Sequence, residues 1–341
     1  MKKQLFTICF VLLQLFAAAQ DPDASQLHET GKQFMRGGDW NNAVLVLNKA
    51  LQKEPQNILI LKDLALTYYY QRDFAKARET IRPLVEKDDA DVQAYQIAGN
   101  IYKALAERKD AEKMYKRALK KYPTSGPLYA EYGELLWMMN ENYTSIEQWE
   151  LGIKNDPGYA GNYYFAARYY YFTTDKVWAL IYGEIFVNME SYSSRTAEIK
   201  NLLLDSYKKF FVVEQKDPKA KPPKQKNEFS DAFMAVMNQN SSVVEKGITT
   251  ESLTMLRTRF LLDWNKEYAA KFPFRLFEHQ KQLLQEGMFD AYNQWIFEAA
   301  GDLAKYESWT KLNAEQYNEF TRFQKSKLFK VPNGQYYKNS N

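Results

Sequence analysis

Residue types recur at one fixed spacing of about 34 residues through the first half of this chain. Four sets of positions, each spaced by 34 residues, keep one residue type. Two sets hold small residues: Ala43, Ala77, Ala111, Ser145 and Ala179, and Gly31, Ala65, Gly99, Gly133 and Ala167. A third set is aromatic or large and apolar (Phe34, Tyr68, Tyr102, Leu136, Tyr170), and a fourth ends each unit (Pro55, Asp89, Pro123, Pro157, Ser191). Because different chemical types keep one period without an insertion, we expect stacked copies of one supersecondary unit.

Each unit is predicted to be a pair of antiparallel helices. Small residues such as Gly31 and Ala43 let the two helices approach closely. The proline that follows a second helix, such as Pro55, cannot continue it and marks the turn to the next unit. One such pair cannot bury its apolar face, so neighbouring units must bury it for each other.

The period and the order of residue types resemble the tetratricopeptide repeat. The first unit carries the family's motif as Leu27, Thr30-Gly31, Phe34, Ala43, Leu47 and Pro55. The fifth unit departs from it at Gly183 and Ser191. The resemblance implies an all-α fold: a right-handed superhelical solenoid of about five helix-turn-helix repeats. A small helical C-terminal domain, which we place in no named family, is predicted to follow.

The predicted segments divide the whole chain. They are a signal peptide at 1–19, a repeat solenoid at 20–213 with repeats at 24–57, 58–91, 92–125, 126–159 and 160–193 and a capping helix at 194–213, a Lys/Pro-rich linker at 214–228, and a helical domain at 229–341. Within the last segment we expect five helices, ending near Lys246, Lys271, Gly287, Ala300 and Phe329.

The first twenty residues are typical of a secretory signal. Lys2 and Lys3 precede the apolar run 5–16, and Ala17 to Ala19 provide the small residues before a cleavage site at Gln20. An uncleaved membrane anchor is the alternative, but a span needs about 20 apolar residues and this run is shorter. We therefore expect an exported bacterial protein, periplasmic or extracellular, with no transmembrane segment after cleavage. Since Cys9 is the only cysteine, the mature chain must be stabilised by packing alone.

Charge and motifs argue against several function classes. The 46 basic and 42 acidic residues give a net charge of +4, too balanced for a nucleic-acid-binding protein. No phosphate-binding loop, nucleophile elbow or zinc motif is present, so we expect no cofactor and no metal. The candidates for catalysis are His279 and the pair Asp263 and Glu267, one helical turn apart. Salt bridging or solvation is the simpler interpretation of that pair, and we expect no enzymatic activity.

The resemblance implies a partner-binding groove lined by the first helix of each repeat. Residues on these helices that the core motif does not need are the candidates: Lys62, Tyr69, Tyr70, Asn100, Lys103, Trp137, Met138, Tyr164, Arg168, Tyr171 and Phe172. Exposed aromatic residues of this kind are typical of interfaces. The alternative is that the C-terminal domain covers them or that they add to the core.

These observations favour an interaction scaffold or adaptor of the cell envelope that binds a protein partner, as a peptide or helix, in the groove. The second hypothesis is a small-ligand or glycan-binding protein, because aromatic platforms also stack on sugar rings. The third is an enzyme that acts through the C-terminal domain, which would require a deep pocket with converging polar groups.

Overall fold

A computed structural model describes residues 22–87, 90–214 and 227–338, with the side chains of 212–214 excepted. The predicted signal peptide and nearly all of the predicted linker lie outside these residues. The chain divides into two compact units, one up to Met114 and the other from Tyr115 onward. The predicted domain limits remain a prediction.

Helices follow one another in pairs through the repeats, as the period predicts. They are α1 (Ala24–Arg36), α2 (Trp40–Lys53), α3 (Ile58–Tyr70), α4 (Phe74–Val85), α5 (Val92–Ala104), α6 (Arg108–Lys121), α7 (Gly126–Met138), α8 (Asn142–Asn155), α9 (Ala160–Tyr171) and α10 (Lys176–Met189). Each of the first five helices is capped by a carboxylate or amide side chain that accepts hydrogen bonds from backbone N–H groups of the first turn. The capping residues are Asp23, Asp39, Asn57, Asp73 and Asp91. Such caps satisfy N–H groups that the first turn of a helix leaves unpaired.

The turn inside each of the first four repeats contains one residue in the left-handed region. These residues are Gly38, Arg72, Ala106 and Asn140, with φ of 71°, 63°, 57° and 62°. Each lies one period after the one before it, so the backbone turn keeps the spacing that the side chains keep. Only the first of them is a glycine, the residue for which this conformation has no steric cost.

Small residues permit the close approach of paired helices, as predicted. A Cβ added at Gly31 would lie 2.6 Å from Leu47 Cδ2, and one added at Gly133 would lie 2.3 Å from Trp149 Nε1. Leu47 and Trp149 are both buried. Each glycine therefore makes the room that a large residue of the partner helix fills.

The rest of the second unit is helical too. It contains α11 (Ser194–Glu214), α12 (Glu228–Gln239), a 3-10 turn (Ser241–Val244), α13 (Thr250–Glu267), α14 (Arg275–Gln285), α15 (Phe289–Asn293), a π-helical turn (Gln294–Glu298), α16 (Ala299–Gly301), α17 (Leu303–Leu312) and α18 (Ala314–Ser326). Of the predicted helices, the one expected to reach Lys246 ends at Gln239. Helix α17 was not predicted: its Leu303 and Leu312 are exposed, and Tyr306 and Trp309 are only partly buried against the core.

One apolar core joins the last repeats to the helices that follow them. It includes Trp149 of α8, Trp178 of α10, Leu203 of α11 and Phe229 of α12, and it continues to Val331. The aromatic residues of the C-terminal region are therefore largely core residues. Along α10, every residue from Lys176 to Asn188 is buried.

A buried polar network crosses this core. Arg257 of α13 pairs with Glu184 of α10, which also accepts hydrogen bonds from Gln280 Nε2 at 2.6 Å and Tyr292 Oη at 2.8 Å. Arg257 also donates a hydrogen bond to the side chain of Asn293. A buried carboxylate requires such partners, because an unpaired charge inside a protein costs several kcal/mol. The network ties α10 to α13, α14 and α15.

The length and hydropathy of the helices show whether any of them could span a membrane. In the part of the chain that the structure describes, none of the helices combines the length and the apolar content that a membrane span requires.

Candidate functional site

Four of the predicted groove residues line one pocket in the second unit. Trp137 and Met138 end α7, Arg168 lies in the last turn of α9, and Phe172 follows that helix. The pocket has a volume of about 210 Å³, and its other lining residues are Glu134, Trp149, Phe165 and Tyr169. Equivalent positions of consecutive repeats meet here, since Met138 and Phe172 lie one period apart. The period thus brings the ends of two successive first helices together.

The floor of this pocket is a stack of aromatic rings. The rings of Trp149 and Phe165 lie parallel, with centroids 5.2 Å apart. Trp137 stands beside them, 6.0 Å from Trp149 and 6.1 Å from Tyr169. Gly133 leaves the space that the indole of Trp149 occupies. The rings of the floor therefore pack against one another and against α7.

The rim of the pocket is apolar and open to solvent. Trp137 is 39% exposed, Met138 41% and Phe172 73%. Large apolar side chains clustered at an opening are typical of interaction sites rather than of ordinary surface. The rim can therefore bury apolar area when a ligand enters.

Two candidates of α9, Tyr164 and Arg168, contact α11. Tyr164 is buried and donates a hydrogen bond to Glu198 Oε2 at 2.7 Å, and Arg168 Nε lies 3.0 Å from the other oxygen of that carboxylate. Burial, together with the bond to Glu198, raises the pKa of Tyr164 to about 12. Glu198 belongs to α11 and lies one period after Tyr164, so α11 contacts α9 at the spacing of one further repeat.

Tyr171 is engaged in the same way. Its hydroxyl donates to Asp205 Oδ2 at 2.6 Å and accepts from Lys209 Nζ at 2.9 Å. The bonds from Lys209 and Tyr171 hold the pKa of Asp205 below its ordinary value. Asp205 again lies one period after its partner. Tyr164 and Tyr171 thus serve polar contacts within the chain, whereas the rim residues of the pocket stay open to solvent.

The candidates in the first unit have different surroundings. Lys62 is buried, and its ammonium donates to Asp91 Oδ2 at 2.6 Å and to Gln93 Oε1 at 2.9 Å. Tyr70 is 52% exposed and stacks on Trp40, with centroids 4.9 Å apart. The remaining three, Tyr69, Asn100 and Lys103, are half-buried. The binding role of all eleven groove residues remains a prediction.

The candidates for catalysis have structural surroundings. His279 is buried, its ring 5.7 Å from Phe323 and 5.1 Å from Phe329, and burial together with the nearby cation of Arg275 lowers its pKa to about 3. Asp263 Oδ2 accepts a hydrogen bond from Asn240 Nδ2 at 2.8 Å. Glu267 is exposed at the end of α13. Within residues 22–87, 90–214 and 227–338, no three His, Cys, Asp or Glu side chains are grouped closely enough to hold a metal ion.

Trp149 lies three periods after Leu47 and so occupies the same position of the repeat motif, while Phe165 and Tyr169 were not among the predicted groove residues. All three line the pocket as well. Phe165 and Tyr169 lie within one helical turn of the motif pair Ala166-Ala167, so their signal was their aromatic character on a helix that the period had already placed. One residue can belong both to the apolar core and to the floor of a pocket. A search that counts only non-core residues as candidate site residues therefore misses it.

Family models described as tetratricopeptide repeat match residues 34–101 and 93–125. Together these matches cover residues 34–125, about a quarter of the chain. Among curated proteins, BBSome complex member BBS4 of Bos taurus is 27% identical over 135 residues. That match covers 37% of this chain and 26% of the relative, so the chain spans about a quarter of the length of the relative it matches.

Solved structures with a similar arrangement of helices include three proteins. A thermophilic TPR protein of Thermus thermophilus has a TM-score of 0.45 and 18% identity, covering 53% of this chain and 99% of that one. YrrB, described as a TPR protein with an unusual peptide-binding site, has a TM-score of 0.37 and 13% identity over 57% and 92%. MamA of Desulfovibrio magneticus has a TM-score of 0.39 and 13% identity over 59% and 100%.

Proposed function

We propose that the protein is a non-enzymatic interaction scaffold of the cell envelope that binds a protein partner through the pocket between α7 and α9. The partner inserts one large apolar side chain between Trp137 and Phe172. The observation that carries this proposal is the combination of an aromatic floor with an exposed apolar rim at the junction of two repeats.

The size of the pocket supports a side chain rather than a small molecule. Sites for drug-sized ligands typically have volumes of about 300–1,000 Å³, and this pocket has about 210 Å³. Stacked repeats present extended binding surfaces, so an inserted side chain would be flanked by further contacts along the helices. Tryptophan and arginine, which are typical anchors of interfaces, both line it.

Export to the envelope is part of the proposal and rests on residues 1–19. The positive start, the apolar run and the alanines before Gln20 support a cleaved secretory signal. Binding rather than catalysis is supported by the packing of His279, whose low pKa leaves its buried ring neutral, and by the hydrogen bond that occupies Asp263.

The test is selection of ligands from a display library of random peptides, with the chain from Gln20 as bait. We expect selected peptides to share a large apolar residue, because a buried aromatic or aliphatic anchor supplies most of the binding energy at such a site. The Trp137→Ala and Phe172→Ala variants should each bind the selected peptides at least about tenfold more weakly, which corresponds to about 1.4 kcal/mol.

The matched control is Tyr192→Ala, which removes an aromatic residue that is 65% exposed and does not line the pocket. It should bind with unchanged affinity. Equal affinities for all variants would contradict the proposal. A cross-linked pull-down from the envelope fraction then tests the location, and recovery of the chain with its first nineteen residues in the cytosolic fraction would contradict export.

A further inference from the structure

A second cavity lies between α13 and α14, apart from the pocket described above. It has a volume of about 410 Å³, within the range of about 300–1,000 Å³ typical of small-molecule sites. Its apolar wall consists of Leu261, Trp264, Phe274 and Phe277, all of which are at most 6% exposed. The wall is therefore fixed by the core behind it, and it is the kind of surface on which an apolar or aromatic group packs.

The other side of the cavity is polar and carries both charges. Glu278 and Lys281 of α14 line it, together with Asn265 and Gln285. Lys281 Nζ donates a hydrogen bond to Asn265 Oδ1 at 2.7 Å, which bridges α13 and α14. Opposite charges three residues apart on a helix often pair with each other. Here the lysine instead bonds to a neutral amide, and Glu278 and Lys281 form no salt bridge with each other among the described residues.

Polar groups of the lining can still form hydrogen bonds with a ligand. An ammonium group has three donor hydrogens, and Asn265 accepts one of those of Lys281. Since the carbonyl oxygen of Asn265 accepts that bond, its NH₂ group is directed elsewhere and can donate. A carboxylate would find donors at Lys281 and Asn265, and an ammonium would find an acceptor at Glu278.

We propose that this cavity binds a small zwitterion with a large apolar side chain, that is, a free aromatic or branched aliphatic α-amino acid. The side chain packs against Trp264, Phe274 and Phe277. The carboxylate of the ligand pairs with Lys281, and its ammonium pairs with Glu278. This complementarity uses both charges of the lining and its apolar wall.

The experiment is calorimetric titration of the full chain with three probes: L-phenylalanine, N-acetyl-L-phenylalanine, which lacks the ammonium, and L-phenylalanine amide, which lacks the carboxylate. We expect L-phenylalanine to bind most tightly. Lys281→Met should weaken L-phenylalanine and the acetylated probe tenfold or more and leave the amide unchanged. Glu278→Gln should weaken L-phenylalanine and the amide and leave the acetylated probe unchanged.

Two further variants test whether the ligand occupies the cavity. Ala269→Trp should fill the cavity and weaken all three probes, whereas Lys266→Met removes an exposed lysine of α13 that does not line the cavity and should change nothing. Thermal unfolding of each variant shows that it is folded. Absence of saturable binding of L-phenylalanine to the intact protein, equal binding of the three probes, or unchanged binding to Lys281→Met would each overturn the proposal.

Discussion

At the scale of single residues, Lys200 shows how a buried base couples folding to pH. It lies on α11 with 9% exposure, and its ammonium sits 3.8 Å from the centroid of the Trp295 ring. The ring face favours the charged form, but burial opposes it and lowers the pKa of Lys200 to about 7. No carboxylate forms an ion pair with it among the described residues. The side chain therefore loses its proton near neutral pH in the folded state.

The sign of the resulting pH dependence follows directly. An unfolded lysine keeps its proton up to a pH of about 10.4, so between pH 7 and that value the unfolded state binds more protons and stability rises with pH. The free energy of unfolding of the wild type should rise relative to that of Lys200→Met between pH 7 and 9, by up to about 1.4 kcal/mol per pH unit. Urea unfolding at several pH values measures this difference.

The control for this prediction is Lys208→Met, which removes an exposed lysine from the same helix. Its stability should follow that of the wild type across the whole range. If the profiles of Lys200→Met and the wild type are parallel between pH 7 and 9, then Lys200 stays charged and the ring of Trp295 outweighs burial.

At the scale of helices, the turn inside each of the first four repeats is strained where a residue with a side chain adopts the left-handed conformation. A left-handed conformation costs an L-residue roughly 1–2 kcal/mol, and Ala106 adopts it with a φ of 57°. Ala106→Gly should therefore stabilise the chain by about 1 kcal/mol. The reverse change, Gly38→Ala, should destabilise it by a similar amount. Nothing lies within 4 Å of a Cβ added at Gly38, so backbone strain alone is tested.

Chemical denaturation of both variants measures this pair of effects. They should have opposite signs, because the two residues occupy equivalent positions of the repeat. A loss of stability in Ala106→Gly larger than that in Gly38→Ala would show that the flexibility of glycine in the unfolded chain outweighs the strain.

The same turns show what the sequence could and could not predict. The period identified the helix pairs because small and aromatic side chains must recur where helices meet. It did not locate the left-handed position of each turn. Glycine and asparagine, found at Gly38 and Asn140, are typical of this conformation, but Arg72 and Ala106 are not.

The candidate site was predictable to a similar degree. The period selected Trp137 and Phe172, which line the pocket. It could equally have shown that α11 engages Tyr164 and Tyr171, because the partner of each tyrosine lies one period further on. The pocket floor could not be predicted in this way, since its aromatic residues also belong to the core.

At the scale of the second unit, the last repeats depend on the helices that follow them. The residues of α10 from Lys176 to Asn188 are buried on every side, and the ring of Trp178 stacks on Phe229 of α12 with centroids 5.8 Å apart. Two neighbouring helices can cover only part of a helix surface. A fragment that ends after residue 213 would therefore expose much of α10 and leave Glu184 without Arg257 and Gln280.

We expect such a fragment, residues 20–213, to unfold at a lower denaturant concentration and less cooperatively than the full chain, because nearest-neighbour interfaces supply the stability of stacked repeats. Glu184→Leu should recover part of the stability lost in the fragment, because it removes a buried charge that has lost its partners. In the full chain the same change should cost several kcal/mol, because it leaves Arg257 unpaired.

A matched deletion at the other end, residues 58–341, removes α1 and α2 and should leave the main transition of the second unit in place. Circular dichroism during urea unfolding distinguishes these cases. A fragment 20–213 as stable as the full chain would mean that the repeats close their own core and that the helices after residue 228 fold as a separate domain.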